Sequence, residues 1–404
     1  MQQSNRSREL DTRELVMNLP EETAQMGRSE PFVHCSPGKI HHRSIWRWSV
    51  FWVYCRMVRK ITSEGYTFDD VLIRPAASSI EPSEASLKTT IAGIELAVPL
   101  LSAAMDRVTE APMAIALGKL GALGVIHRNC SVEEQVAMVE EARRAGVVVA
   151  AACGPFHTER AEALDRAKCD FIVIDCAHGH NLNVLASARK IKESLKHAKM
   201  IFGNIATAEA AKEAVAFADA VKVGVGPGSI CTTRLVSGVG VPQLSAIADV
   251  ASVALKKGVP VIADGGIRTS GDIAKALAAG ASAVMCGNLF AGSDESPGQV
   301  IERDGRKYKE YRGMGSAAVI KSASGAERYF THGRKAVPEG VEAIVPYKGP
   351  VEGIVATLAS GLQVAFGYVG ARDLAEFQKK AQFIRITHAS IAEGKPHSLA
   401  EVEG

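Results

Sequence analysis

Residues 222–234 read Lys-Val-Gly-Val-Gly-Pro-Gly-Ser-Ile-Cys-Thr-Thr-Arg, a stretch in which most positions bear on chemistry. Gly224, Gly226 and Gly228 leave backbone N–H and C=O groups unobstructed, so the loop can cradle an anion through its amides or a cation through its carbonyls. Ser229 adds a hydroxyl donor, and Cys231 follows three residues past the last glycine. A lone cysteine is usually a small buried hydrophobe. Set between a glycine loop and Thr232-Thr233-Arg234, this one reads as a nucleophile whose thiol pKa and access the loop can tune.

Positioning such a loop requires a scaffold, and the hydrophobic pattern supplies one. From residue 98 onward, short runs rich in Val, Ile and Ala recur, each ending in Gly, Asp, Asn, His or Ser and each followed by a helical pattern. Fully buried parallel strands have this appearance. The eight runs are 98–105, 123–127, 147–154, 171–179, 200–207, 220–229, 260–266 and 283–292. Amphipathic stretches lie between them at 131–144, 158–167, 182–195, 208–217, 244–256 and 269–279. Ser131 followed by Glu134 is a capping box, and Thr269, Ser270 and Asp272 crowd another helix start. Eight β units alternating with helices predict an α/β fold of the TIM (β/α)8 barrel type, and no GxGxxG follows the first strand to favour an open dinucleotide-binding sheet.

Chemistry in such barrels collects at the C-terminal strand ends. Here those ends are polar and glycine-rich: Ser102-Ala-Ala-Met105-Asp106, Asp175-Cys-Ala-His178-Gly-His180, Gly203-Asn204, the 224–229 loop, Asp264-Gly265-Gly266 and Gly287-Asn288. Strands 7 and 8 are where barrels often bind phosphate through backbone amides. A carboxylate at Asp264 does not favour phosphate, but it suits a ribose diol, which offers two donors. The ligand inferred from these residues is a nucleoside monophosphate with its base directed toward Cys231.

Composition narrows the remaining classes. The chain has 404 residues, 47% apolar and 23% charged, which excludes a disordered or collagenous protein. Residues 1–60 carry ten Lys/Arg against six Asp/Glu, leaving 37 against 38 afterwards, so the formal charge of +3 belongs to this segment. A near-neutral body argues against a nucleic-acid surface. Trp46, Trp48 and Trp52 are the only tryptophans, and residues 1–60 are expected to be a weakly ordered extension preceding a catalytic domain at 61–404. The apolar run from Trp48 to Cys55 is too short to span a bilayer, so no membrane role is expected. Eight cysteines without a CxxC pair read as reduced cytoplasmic thiols. The histidines show no metal-binding spacing.

At this level the sequence resembles the IMP dehydrogenase/GMP reductase family from about Tyr66 to His397. The resemblance is carried by Thr67-Phe-Asp-Asp-Val-Leu72, Ser102-Ala-Ala-Met-Asp106, Gly124-Val-Ile-His127, Ile174-Asp-Cys-Ala-His-Gly-His180, Gly203-Asn204 and the 224–234 loop. It continues through Gly238-Val-Gly-Val-Pro-Gln243, Ile262-Ala-Asp-Gly-Gly-Ile267, Tyr311-Arg-Gly-Met-Gly-Ser316 and Arg328-Tyr-Phe330. It implies oxidation of IMP to XMP in guanine nucleotide synthesis: Cys231 attacks purine C2, hydride passes to NAD⁺, and a covalent thioimidate is hydrolysed. A flap at about 295–345 carries Arg328 and Tyr329 for the hydrolytic stage, and Thr233 joins the catalytic set. The resemblance assigns the nucleotide to Ser102, Met105, Ser229, Asp264, Gly265, Gly266, Gly287, Asn288, Tyr311, Arg312, Gly313, Met314, Gly315 and Glu339. It assigns NAD⁺ to Asp175, Asn204, Gly224, Val225 and Gly226. It places K⁺ on carbonyls of Gly226, Gly228 and Cys231 with Glu393, Gly394 and Lys395 from a neighbouring subunit, in a homotetramer.

Departures from the family pattern include Asn288 in place of a commoner serine and Glu393-Gly-Lys395 in place of Glu-Ser-His. Ala142-Arg-Arg-Ala-Gly146 runs directly into strand 3, where most dehydrogenases of the family insert a pair of cystathionine-β-synthase-type (CBS) modules. The alternative activity is NADPH-dependent GMP reduction. Reductases resemble Gly-Met-Ser-Ser-Glu where this chain has Gly313-Met-Gly-Ser-Ala317, and they lack the Arg-Tyr pair. A catalytically silent nucleotide-binding barrel is the other alternative, opposed by the presence of Cys231 and Arg328.

Overall fold

The computed structural model describes residues 61, 63–320 and 337–396. Two units are distinguished, Met1–Glu64 and Gly65–Gly404. The extension expected over residues 1–60 lies outside the described residues, as do Arg328 and Tyr329. All that follows concerns the second unit.

Thr67 caps a turn at Phe68–Asp70, and β1 (Val71–Ile73) then pairs antiparallel with residues 383–385 near the C-terminus. The hairpin β2 (Thr89–Ile91) and β3 (Ile94–Leu96) puts Ile91 and Leu96 into the same apolar cluster as the barrel interior, so it plugs one end. The barrel begins with β4 (Leu100–Ser102), α1 (Ala111–Lys119), β5 (Leu123–Ile126), α2 (Val132–Arg144), β6 (Val149–Cys153) and α3 (Thr158–Arg166). It continues with β7 (Phe171–Asp175), α4 (Leu182–Ser194), β8 (Lys199–Ile205), α5 (Ala208–Ala214) and β9 (Ala220–Val223). After the short α6 (Thr233–Ser237) come α7 (Gln243–Ala254), β10 (Val261–Asp264), α8 (Ser270–Ala278) and β11 (Ala283–Cys286). Strands β4 to β11 are parallel neighbours in chain order, and β11 closes on β4. The expected (β/α)8 barrel is therefore present.

The strands are shorter than their apolar runs. The expected 220–229 strand ends at Val223, 171–179 ends at Asp175, and 283–292 ends at Cys286. Past each end the chain leaves the ladder: 176–179 and 224–229 are loops, and 287–292 holds a short helix at Asn288–Ala291. Residue parity builds the core, since side chains alternate across a strand. Leu101, Leu123, Val125, Ala150, Ala152, Phe171, Val173, Ile201, Ile262 and Met285 fill the barrel, while their sequence neighbours pack beneath the helices.

Past β11, α9 (Asn288–Ala291) leads to an antiparallel sheet of β12 (Val300–Arg303), β13 (Arg306–Arg312) and, after α10 (Ala317–Ile320), β14 (Glu342–Pro346). This sheet falls within the expected flap segment. Then α11 (Val351–Val369) buries Leu358, Leu362 and Phe366 and packs on α8 and α1. It is long and apolar enough to cross a membrane by composition, yet here it is a barrel-covering helix. α12 (Leu374–Lys380), β15 (Phe383–Arg385) and α13 (His388–Glu393) complete the described chain. Only residues 145–148 separate α2 from β6, so no inserted module stands there.

The Ser131 capping box is formed: the hydroxyl accepts from Glu134 N at 3.1 Å, and the Glu134 carboxylate accepts from Ser131 N at 2.8 Å. Replacing Ser131 by Ala should lower stability by about 1 kcal/mol. Chemical denaturation checks this, with an unchanged midpoint as the contrary result.

Candidate active site at the C-terminal face of the barrel

The inward-facing positions that are apolar deep in the barrel become charged at its C-terminal rim. On β7 the series is Phe171, Val173, Asp175; on β9 it is Ala220, Lys222; on β10 it is Ile262, Asp264. The Lys222 side chain is only 2% exposed, and its ammonium donates to Asp175 Oδ1 at 3.1 Å, to Asp264 Oδ2 at 2.6 Å and to Asn204 Oδ1. Three N–H donors thus meet three acceptors, the condition for burying an ammonium.

Strand β8 lies between Lys222 and Asp175, and the register places Asp175, Gly203 and Lys222 in one row. A Cβ on Gly203 would stand 2.7 Å from the Lys222 Cβ, so glycine there keeps the row open. The ladder shifts register between Gly203 and Ile205, and a bulge of this kind re-aims a side chain. Asn204 Nδ2 accordingly donates to Gly224 O at 2.7 Å and to Asp264 Oδ2 at 2.9 Å. Sequence reasoning assigned no role to Lys222. The available signal was an ionisable residue inside the strand Ala-Val-Lys-Val.

The cysteine loop departs at Gly224, whose φ of +149° suits glycine and where a Cβ would lie 2.0 Å from Asp264 O. Side chains then staple the loop to its surroundings. Arg234 donates to Val225 O (Nε, 3.2 Å) and Val241 O (2.6 Å), and Gln243 donates to Val223 O and Asp264 O at 3.0 and 3.1 Å. Within the loop, the Cys231 thiol lies 3.2 Å from Thr233 Oγ1, and that hydroxyl donates to Glu339 Oε2 at 2.6 Å.

Glu339 arrives from far along the chain because its segment is knitted in on both sides. Thr232 N donates to Glu339 O (2.9 Å) and Val341 N to Ile230 O (3.1 Å). On the opposite side Glu339 N donates to Gly315 O (3.0 Å) and Gly313 N to Val341 O (3.0 Å). Cys231, Thr233 and Glu339 therefore form one hydrogen-bonded line from thiol to hydroxyl to carboxylate.

A cavity of about 310 Å³ gathers most of the expected residues. Met105, Asp175, Asn204, Gly224, Val225, Gly226, Gly228, Ser229, Cys231 and Thr233 line it, as do Asp264, Gly265, Gly266, Gly287, Asn288, Tyr311, Gly313, Met314, Gly315 and Glu339. Burial pushes the Tyr311 phenol up to about 12 despite a hydrogen bond with Ser229, so at neutral pH it is an uncharged donor. Other expected residues lie elsewhere. Ser102 is fully buried, with its hydroxyl taken by Thr109 at 2.7 Å. Glu393, Gly394 and Lys395, at the end of α13, do not line this cavity.

Arg312 is likewise outside the cavity lining, yet it holds the wall in place. Its guanidinium pairs with Asp106 in the loop after β4, with Nε 3.1 Å from Oδ2, and Asn129 Nδ2 donates to the same carboxylate at 2.7 Å. Arg107 pairs with Glu310 at 3.1 Å, and the buried Lys309 donates to Ser293 O and Ser296 O at 2.9 and 2.5 Å. Tyr311 is therefore flanked by charged residues that tie β13 to the barrel. Burial alone would raise the Asp106 carboxyl, but Arg312 and Asn129 outweigh it and hold it below the usual range. Its contribution to stability is present above pH 3.8 and is lost as pH falls through the lower native value. Asp106→Asn should cost about 1.5–3 kcal/mol at pH 7 by removing the charge that faces the Arg312 guanidinium. Urea titrations across pH should show the gap to the parent chain narrowing below about pH 4; a gap that is constant with pH would contradict the pairing.

Fold and site together define an α/β-barrel enzyme with a thiol poised at a cavity suited to a nucleotide. The chain belongs to the IMP dehydrogenase / GMP reductase family, whose domain matches residues 65–397. It is 41% identical to inosine-5'-monophosphate dehydrogenase of Methanocaldococcus jannaschii, over 83% of this chain and 95% of the relative. It is 40% identical to the enzyme of the same name from Borreliella burgdorferi, covering 86% and 100%, and 42% identical to that of Cryptosporidium parvum, covering 86% and 98%. The M. jannaschii alignment spans 473 positions, more than the 404 residues of this chain, so that relative carries segments this chain lacks. The other two alignments span 406 and 395 positions.

Proposed function

We propose that this chain is an NAD⁺-dependent IMP dehydrogenase that forms XMP through a covalent adduct at Cys231. The observation that carries the reading is the Cys231–Thr233–Glu339 chain of hydrogen bonds at a cavity that also presents Asp264 and Asp175. The IMP ribose diol donates to Asp264, and the phosphate meets Ser229, Gly266, Gly287, Asn288 and the neutral phenol of Tyr311. The base then extends toward Cys231 and Glu339.

Thr233 relays the thiol proton toward Glu339, and the thiolate adds to C2 of the purine. The C2 hydrogen departs with its electron pair, leaving a thioimidate between C2 and Sγ. Water then adds at C2, the C–S bond breaks, and Cys231 regains a proton as XMP forms. Arg328 and Tyr329, outside the described residues, serve this hydrolytic stage by resemblance.

NAD⁺, when bound, supplies the hydride acceptor. The residues present fit it: Asp175 offers a ribose acceptor, and Gly224 and Gly226, on either side of Val225, add wall without side chains to the cavity that holds Cys231. For K⁺, the carbonyls of Gly226, Gly228 and Cys231 belong to one tight loop, and Gly228 O keeps a lone pair beyond its bond from Cys231 N. Glu393, Gly394 and Lys395 of the partner subunit would complete that site in a homotetramer.

The direct test is release of NADH from IMP, NAD⁺ and K⁺, run beside GMP with NADPH. Activity only in the second mixture would make the chain a GMP reductase. Cys231→Ala should lower kcat by about a thousandfold or more. It should leave IMP affinity within about threefold by calorimetry, because the phosphate and ribose contacts lie elsewhere. Near-normal turnover would exclude the covalent route. Arg328→Ala and Tyr329→Phe should give a rapid burst of NADH followed by a slow steady rate in stopped-flow traces. Loss of the burst itself in both variants would show that the pair acts earlier.

A further inference from the structure

Lys222 stands between two carboxylates that the proposed function gives to different ligands, Asp264 to the IMP ribose and Asp175 to the NAD⁺ ribose. One ammonium bonds both, at 2.6 and 3.1 Å, and Asn204 closes the frame by accepting from Lys222 and donating to Asp264 at 2.9 Å. We propose that Lys222 is a positioning residue that couples the two ribose sites, so that a nucleotide seated at Asp264 raises the affinity for the dinucleotide at Asp175. The inference rests on the proposed identities of the two ligands.

The coupling follows from the exposure of the three charged groups. The side chains of Lys222 and Asp175 are 2% and 5% exposed, whereas that of Asp264 is 21% exposed, the wettest member of the frame. Both protein donors to Asp264 use Oδ2, so Oδ1 is the oxygen left for a ligand hydroxyl. A ribose bonded there excludes water from the frame and fixes the carboxylate rotamer. The Coulomb attraction to Lys222 strengthens as water leaves. The ammonium, held more tightly, in turn holds Asp175 in the orientation that the second ribose needs. Ordering cost met by the first ligand is then not met again by the second, which is positive coupling. Linkage requires the same factor in the reverse direction. Gly203 and the register shift after it belong to this arrangement, because they clear the row between β7 and β9 and aim Asn204 into it.

The test uses the full chain carrying Cys231→Ala, which blocks turnover, and measures the NAD⁺ dissociation constant by calorimetry with and without saturating IMP. The factor expected is about fivefold or more, the usual lower range of allosteric coupling. In Cys231→Ala with Lys222→Gln it should fall toward one, and with Lys222→Arg, which keeps the charge, most of it should return. A factor unchanged by Lys222→Gln overturns the proposal. So does a factor of one in the Cys231→Ala chain with Lys222 intact, a result that does not require the lysine variant to fold. Failure of that chain to bind IMP at all would instead remove the substrate assignment, and the coupling with it.

Discussion

The geometry of the site depends on one buried charge, that of Lys222. An ammonium inside a barrel loses its hydration, and only a full set of acceptors at hydrogen-bond distance makes that tolerable. Lys222 finds them on three other strands, which obliges the ends of β7, β8, β9 and β10 to meet in a defined register. Gly203 stays without a side chain and the β8 ladder slips so that Asn204 turns in. A buried ion cluster of this kind adds little net stability compared with apolar packing. Its return is geometric: two carboxylates and an amide held at fixed separations on the rigid part of the fold.

Around that fixed centre the groups proposed to react lie on loops. Cys231, Thr233 and Glu339 occupy segments without long secondary structure, and a strip of backbone hydrogen bonds from Ile230 through Val341 to Gly313 joins them. Rigid strands thus carry the groups suited to locating a ligand, and loops carry the groups suited to changing it, a division common in barrels. The ion pairs at Asp106 and Arg107 serve the same end by tying β13, and Tyr311 with it, to the rim.

Outside the rim, the helical layer shows how context overrides composition. The run Val351–Val369 satisfies a length and hydropathy test for a membrane span, but its buried stripe of Val351, Val355, Leu358, Leu362 and Phe366 faces the barrel. The spacing of that stripe is that of an amphipathic helix, with Glu352, Thr357 and Gln363 elsewhere around it.

The sequence by itself determined the barrel, because buried parallel strands and their amphipathic helices leave a periodic signature that needs only local residues. It also determined the cysteine loop, whose glycines and hydroxyls are contiguous, and the Ser131 cap, which spans four residues. Strand ends were less legible: valines in 222–229 look like a continuing strand, and only the meeting of Gly224 with the Asp264 carbonyl shows where the chain must turn. The segment at about 295–345 was read only as a flap because the antiparallel pairing found within it has no marker until partners are known. Tertiary structure alone decided that Thr233 meets Glu339, 106 residues away, and that Lys222 meets Asp175, 47 residues away. It also placed Ser102 under Thr109 rather than in the cavity. The physical reason is common to these cases: a side chain's role at the rim depends on which strands close beside it and on parity within the barrel, and both are properties of the closed sheet rather than of any stretch of chain.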